Sequence, residues 1–223
     1  MLNFATTAPI TAVLDIPAGR VQLIAADRQD ATVDIRPANP TKGRDVKAAE
    51  RVQVAFADGV LRIQSPEPEN KLFGNSGAVE VTVQLPAGSR VEAKAAAADL
   101  RGVGRLGDVA LEAAQGQVKL DEAASARVSV MDGDVLVGRL DGPAEIRTMR
   151  GDIKVTGAVR GAVELRTEKG DIEVTAARGA SATLDAGTGY GRVSNALANT
   201  AGAAAELRIR ATTGYGDITA RSL

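Results

Sequence analysis

The sequence contains neither histidine nor cysteine. Losing histidine removes the side chain most often used as a general base and as a metal ligand near neutral pH. Ser–His–Asp, Cys–His and histidine-based zinc sites are therefore excluded. Losing cysteine removes disulfides and thiol chemistry, a composition that fits a reducing compartment. Tryptophan is absent as well, and aromatic residues make up only 2% of the chain. The core must therefore be built from Val, Leu, Ile and Ala, within a hydrophobic content of 44%. Small, uniform inward residues suit a narrow stack of strands better than a sandwich anchored on large rings. An excess of charge is also missing, since the net charge is −1. Nucleic-acid binding needs a concentrated basic surface, so no nucleic-acid partner is expected. No stretch reaches eighteen apolar residues, so neither a transmembrane helix nor membrane insertion is expected. Met1–Arg20 lacks the basic start and continuous apolar segment of a secretory signal, which makes the cytoplasm the default expectation.

What the chain does have is repetition. Gly133-Asp134-Val135-Leu136-Val137 opens a segment that returns as Gly151-Asp152-Ile153-Lys154-Val155 and again as Gly170-Asp171-Ile172-Glu173-Val174. The offset is 18 residues, then 19. A fixed period of this length marks a repeat architecture. Within a unit the apolar residues alternate with charged ones: Ile153 and Val155 around Lys154, Val163 and Leu165 around Glu164. Alternation with β-branched residues predicts half-buried strands. The recurring Gly-Asp predicts turns. One unit cannot bury enough apolar surface to order itself, so successive units must stack and share a core. Stacking in parallel register predicts Lys154 beside Glu173, Glu145 beside Glu164 and Arg147 beside Arg166, at about 4.8 Å between strands. The charged residues read as a solvated outer face, with an anion-binding arginine stripe as the alternative.

The first ninety residues lack this repeat. Ala12–Ile16, Val21–Ile24 and Ala31–Ile35 read as alternating strands joined by short turns, predicting an antiparallel start. Asp45–Arg51 is the one good helical segment, with Asp45 or a neighbour as its cap. Asp58-Gly59 between Val52–Phe56 and Val60–Ile63 predicts a hairpin. Ser65–Ala78, with two prolines and several glycines, predicts a loop that carries Leu72 and Phe73. The fold class expected is all-β. A β-solenoid of about 18–19-residue coils over residues 91–223 would be capped by an antiparallel N-terminal region over residues 1–90, the two expected to form one continuous structural unit.

Candidate sites are few. The Gly-Asp acids, Asp108, Asp134, Asp152, Asp171 and Asp217, read as turn caps. A calcium ladder of the β-roll kind needs more Gly and Asp per turn, and the same slot holds Gln117 and Arg192 in two other units. No metal or cofactor is expected. Tyr190 and Tyr215 are the only tyrosines and occupy one turn slot, Gly-Tyr-Gly, in two late units. They predict an aromatic stack, or a flat platform for a sugar or a partner. Leu72 and Phe73 are a candidate partner-binding pair. No acid pair stands out from the charged face, so no catalytic residue is assigned and the protein is not expected to be an enzyme. The last coil, around Leu207-Arg208-Ile209 and Ile218, has no cap after it in sequence. That predicts end-to-end association through residues 203–223, with Ile209 and Ile218 at the contact.

Leu85-Pro86-Ala87-Gly88-Ser89, Asp15-Ile16-Pro17-Ala18-Gly19, Ala57-Asp58-Gly59-Val60-Leu61, the Arg-Thr-x-x-Gly-Asp-Ile of Arg147–Ile153 and Arg166–Ile172, and Tyr215-Gly216-Asp217-Ile218 together resemble a bacterial β-strand-repeat family of unknown function, usually labelled "putative adhesin". The resemblance spans nearly the whole chain. It implies a β-helix-like solenoid and offers no catalytic residues. The expected function is a non-enzymatic scaffold or binding module that associates with itself or with a protein partner. The alternative is a surface adhesin-like module binding carbohydrate or protein through the solenoid flank.

Overall fold

The structure, a computed structural model, describes residues 1–66 and 77–223. The chain is all-β apart from one α-helix and one short 3-10 turn among the described residues, and its strands pair both parallel and antiparallel. It forms two compact units, Met1–Gln115 and Gly116–Leu223.

The first unit holds β1 (Leu2–Ala5), β2 (Thr11–Ala26), β3 (Asp30–Pro37), α1 (Gly43–Arg51), β4 (Gln53–Ala57), β5 (Val60–Gln64), β6 (Val79–Pro86) and β7 (Arg90–Gln115). The predicted hairpin forms: β4 pairs antiparallel with β5, and both turn residues adopt positive φ, Asp58 at 51° and Gly59 at 73°. β1 with β3 and β3 with β6 are also antiparallel. The antiparallel start is otherwise corrected at β2. The segments expected as two strands are one bent strand, parallel to β5 and β6 on one side and to β7 on the other. Pro17-Ala18-Gly19 turns a corner there without reversing the chain. Gly19 has φ +130°, and a Cβ on it would meet the Val79 carbonyl oxygen at 1.8 Å, so only glycine fits. Leu14, Ile16, Leu23, Leu61, Ile63 and Leu85 fill this unit's core. Ser89 is fully buried, donating to the Pro86 carbonyl at 2.7 Å and accepting the Ile10 N–H at 3.0 Å. The helix begins two residues earlier than expected. Asp45 does not cap it; the buried carboxylate instead accepts the Ala78 N–H at 3.1 Å.

The second unit holds β8 (Val118–Asp132), β9 (Val135–Leu140), β10 (Ala144–Arg150), β11 (Ile153–Ala158), β12 (Gly161–Lys169), β13 (Ile172–Ala176), β14 (Ala182–Tyr190), β15 (Val193–Ala196), the 3-10 turn Gly202–Ala204, β16 (Leu207–Tyr215) and β17 (Ile218–Ser222). Its ladders are parallel. Ala144 pairs with Val163 nineteen residues on and with Ala126 eighteen residues back. The strands form two ladders. In one, the start of β8 pairs with β9, then β11, β13, β17 and β15. In the other, the end of β8 pairs with β10, then β12, β16 and β14.

Both ladders break sequence order at the same place. After β13 the chain passes over one position, lays down β14 and β15 at the end of the stack, and returns to fill the gap with β16 and β17. The skip is easily spanned. Ala177–Ser181 must cover two strand spacings, about 10 Å, well within the reach of five residues at ~3.3 Å each.

Candidate interaction site

The site grows out of the corner where each Thr-x-x-Gly-Asp word turns. Gly133, Gly151, Gly170, Gly216 and Gly191 stack one over the next, with φ between +139° and +155°. A Cβ on any of them would fall within 2.1 Å of the carbonyl oxygen of the glycine below, so the column admits no other residue. Those carbonyls also accept hydroxyl hydrogen bonds from the next level: Thr167 donates to Gly151 at 3.0 Å, Thr213 to Gly170 at 2.9 Å and Thr188 to Gly216 at 2.9 Å. The acid after each glycine completes the corner. Asp134 Oδ1 accepts the N–H of Asp152 at 2.8 Å, Asp152 that of Asp171 at 2.7 Å, Asp171 that of Asp217 at 2.7 Å, and Asp217 that of Arg192 at 2.8 Å. The Gly-Asp acids in this column therefore act as turn caps, each neutralising a backbone donor one level away.

Arg192 ends the column. Among the described residues no further strand lies beyond it to supply an N–H that an aspartate there would accept. Its guanidinium instead lies 3.7 Å from the Asp217 carboxylate. The same strands end the core. The inward column Val118, Val135, Ile153, Ile172 and Ile218 is buried, whereas Val193, next in line, is 46% exposed. Asn195 likewise follows Val137, Val155, Val174 and Ala220 in an otherwise apolar column. Among the described residues, β14 pairs only with β16 and β15 only with β17, so each has an open edge.

This arrangement corrects the expected open end. Ile209 and Ile218 are 2% and 0% exposed and lie in strands flanked on both sides, β16 by β12 and β14, β17 by β13 and β15. Both side chains are covered within the sheet, so neither forms an exposed end. The open end is β14–β15, and the signal for it was Arg192 in an aspartate slot. Tyr190 and Tyr215 meet as predicted. Their rings stack with centroids 4.8 Å apart and planes 5° from parallel, and both are largely exposed. Leu72 and Phe73 lie outside the described residues.

The outer face is charged and paired. Glu173 bridges Lys154 at 2.6 Å and Arg221 at 2.7 Å. The arginine stripe is also engaged: Arg147 meets Glu145 at 2.6 Å and Glu164 at 3.5 Å, and Arg166 meets Glu168 at 3.2 Å. Among the described residues no group of three acids gathers as a metal site.

The crystal structure of a "putative adhesin" from Bacteroides fragilis NCTC 9343 is similar throughout, with a TM-score of 0.59 at 16% identity over 100% of this chain and 95% of that one. A "putative adhesin" from Parabacteroides distasonis ATCC 8503 gives a TM-score of 0.44 at 13% identity, over 98% of this chain and 95% of that one. A "putative cell adhesion protein" from Clostridium sporogenes ATCC 15579 gives 0.42 at 13%, over 96% and 93%. No curated protein matches the chain. The family model described as Toastrack DUF4097 matches residues 13–222, and the chain belongs to that family.

Proposed function

We propose that the protein is a non-enzymatic interaction scaffold, a β-solenoid of 18–19-residue coils that associates with a second copy of itself through the terminal strands β14 and β15. The observation that carries this reading is the uncovered end of the stack. Two strand edges stay open there, and Val193 is 46% exposed while every residue aligned with it inside the stack is buried. An open edge beside uncovered apolar surface invites another chain. Static light scattering on size-exclusion fractions over a wide concentration range tests it. Mass should rise with concentration for the parent and stay monomeric for Val193→Lys. A parent that is monomeric throughout contradicts the reading.

A second reading has its own support in the exposed Tyr190–Tyr215 stack. Here the chain is an adhesin-like module that engages a ligand on its flank, in keeping with the names carried by its distant structural neighbours.

A further inference from the structure

We infer that the outer face of Tyr190 is a stacking platform for a pyranose ring, so that the end of the second unit binds a polysaccharide. This deepens the adhesin-like reading by naming its site and ligand class, and it concerns the monomer, because a second copy seated on β14 and β15 would cover the same end.

The platform follows from the ladder. Lys169 pairs with Tyr215, and Tyr215 pairs with Tyr190, so the three side chains occupy one column along the stack. Tyr215 has a neighbour on either side. Tyr190 has Tyr215 on one side only, because β14 is the last strand of its ladder among the described residues. The free face of the ring therefore looks along the stack, away from the protein. Tyr190 is 70% exposed and Tyr215 58%, unusual for two large rings in contact.

The sequence keeps that face clear and rigid. Each tyrosine stands between glycines, Gly189 and Gly191, Gly214 and Gly216, so no adjacent side chain crowds the rings. The same glycines are locked by their neighbours. A Cβ on Gly189 would meet the Gly214 carbonyl oxygen at 2.7 Å, and one on Gly214 would meet that of Glu168 at 2.6 Å. A ring held on a fixed corner loses little freedom on binding.

The surroundings select the ligand. Two residues beyond the tyrosines, Arg192 and Asp217 lie 3.7 Å apart and remain exposed. Among the described residues, glycines flank both rings in sequence, Lys169 shares their column and the Arg192–Asp217 ion pair follows two residues on, so these neighbours are small or charged. The net charge of −1 supplies no attraction for a nucleic-acid backbone. A pyranose matches the site: its C–H face covers an aromatic plane, while its rim of hydroxyls meets a donor and an acceptor.

With two tyrosines and no tryptophan, ultraviolet emission comes from this stack, which makes the protein its own probe. The test titrates the monomeric fraction with soluble oligosaccharides of cellulose, chitin, xylan and polygalacturonate, and measures retention on the insoluble polymers. The expected result is a saturable emission change, and retention, with at least one of them. Tyr190→Ala should weaken that binding by about tenfold. Tyr190→Phe should preserve it. Tyr190→Leu, which keeps bulk without a flat face, should lose it even if Tyr190→Ala compromises folding. Val193→Lys should leave it unchanged, which separates failure here from failure of self-association. Absence of binding to every polymer, or binding that survives both Tyr190→Ala and Tyr190→Leu, overturns the inference.

Discussion

Asp171 accepts the backbone N–H of Asp217 at 2.7 Å across forty-six residues of sequence. The aspartate-slot residue next in sequence after Asp171 is Arg192, yet Arg192 sits one level further out, on Asp217. The second unit is thus ordered by its hydrogen-bonded corners, and sequence order gives way to them.

Removing one such corner should be felt. Asp171→Ala leaves the Asp217 N–H without its carboxylate and should cost about 1 kcal/mol in urea unfolding. Arg192→Ala removes only an exposed ion pair and should cost roughly 0.5 kcal/mol or less. Equal effects would mean that the column contributes nothing beyond surface charge.

The glycine column predicts a sharper contrast. Gly170 has φ +151°, and a Cβ there would stand 2.1 Å from the Gly151 carbonyl oxygen. Gly170→Ala should lower stability by about 3 kcal/mol. At Gly179 φ is +81° with open space around the position, so Gly179→Ala should cost only about 1 kcal/mol. Denaturant midpoints of the two variants, with slopes unchanged, provide the check.

Deleting residues 203–223 should do more than shorten the chain. β16 and β17 are the strands on which β14 and β15 lie. Without them, amides of residues 182–196 should exchange freely with solvent. Retained protection would mean that β14 can close directly onto β12.

Charge at two apolar positions separates end from interior. Ile218→Asp buries an unpaired carboxylate at a fully covered site and should destabilise the fold by about 4 kcal/mol or more. Val193→Lys should leave the thermal midpoint within about 2 °C, because surface changes are small, while abolishing concentration-dependent mass.

Much of this was legible in the sequence. The 18- and 19-residue offsets place Glu145 beside Glu164, Arg147 beside Arg166 and Lys154 beside Glu173, as found. The shared Gly-Tyr-Gly word placed Tyr190 against Tyr215. The order of the last levels was not legible from the period. Copies of equal length pair in equal register, so exchanging two of them changes only the connecting segments, 177–181 and 197–206, and loop length is a weak energetic term. The local clues were Arg192 where its counterparts are aspartate and Asn195 where they are aliphatic. In the first unit, Pro17-Ala18-Gly19 carries ordinary turn chemistry. What makes it a corner is the Val79 backbone pressed against Gly19, a contact between distant residues that no local pattern encodes.

Hydrogen exchange at low and high protein concentration tests the central claim most directly, since it reads strand order and working end together. Amides of Ile209 and Ile218 should be strongly protected at every concentration. Protection over 182–196 should be weak in dilute solution and should rise with concentration. Protection that rises instead over 207–222, or nowhere, would contradict the account.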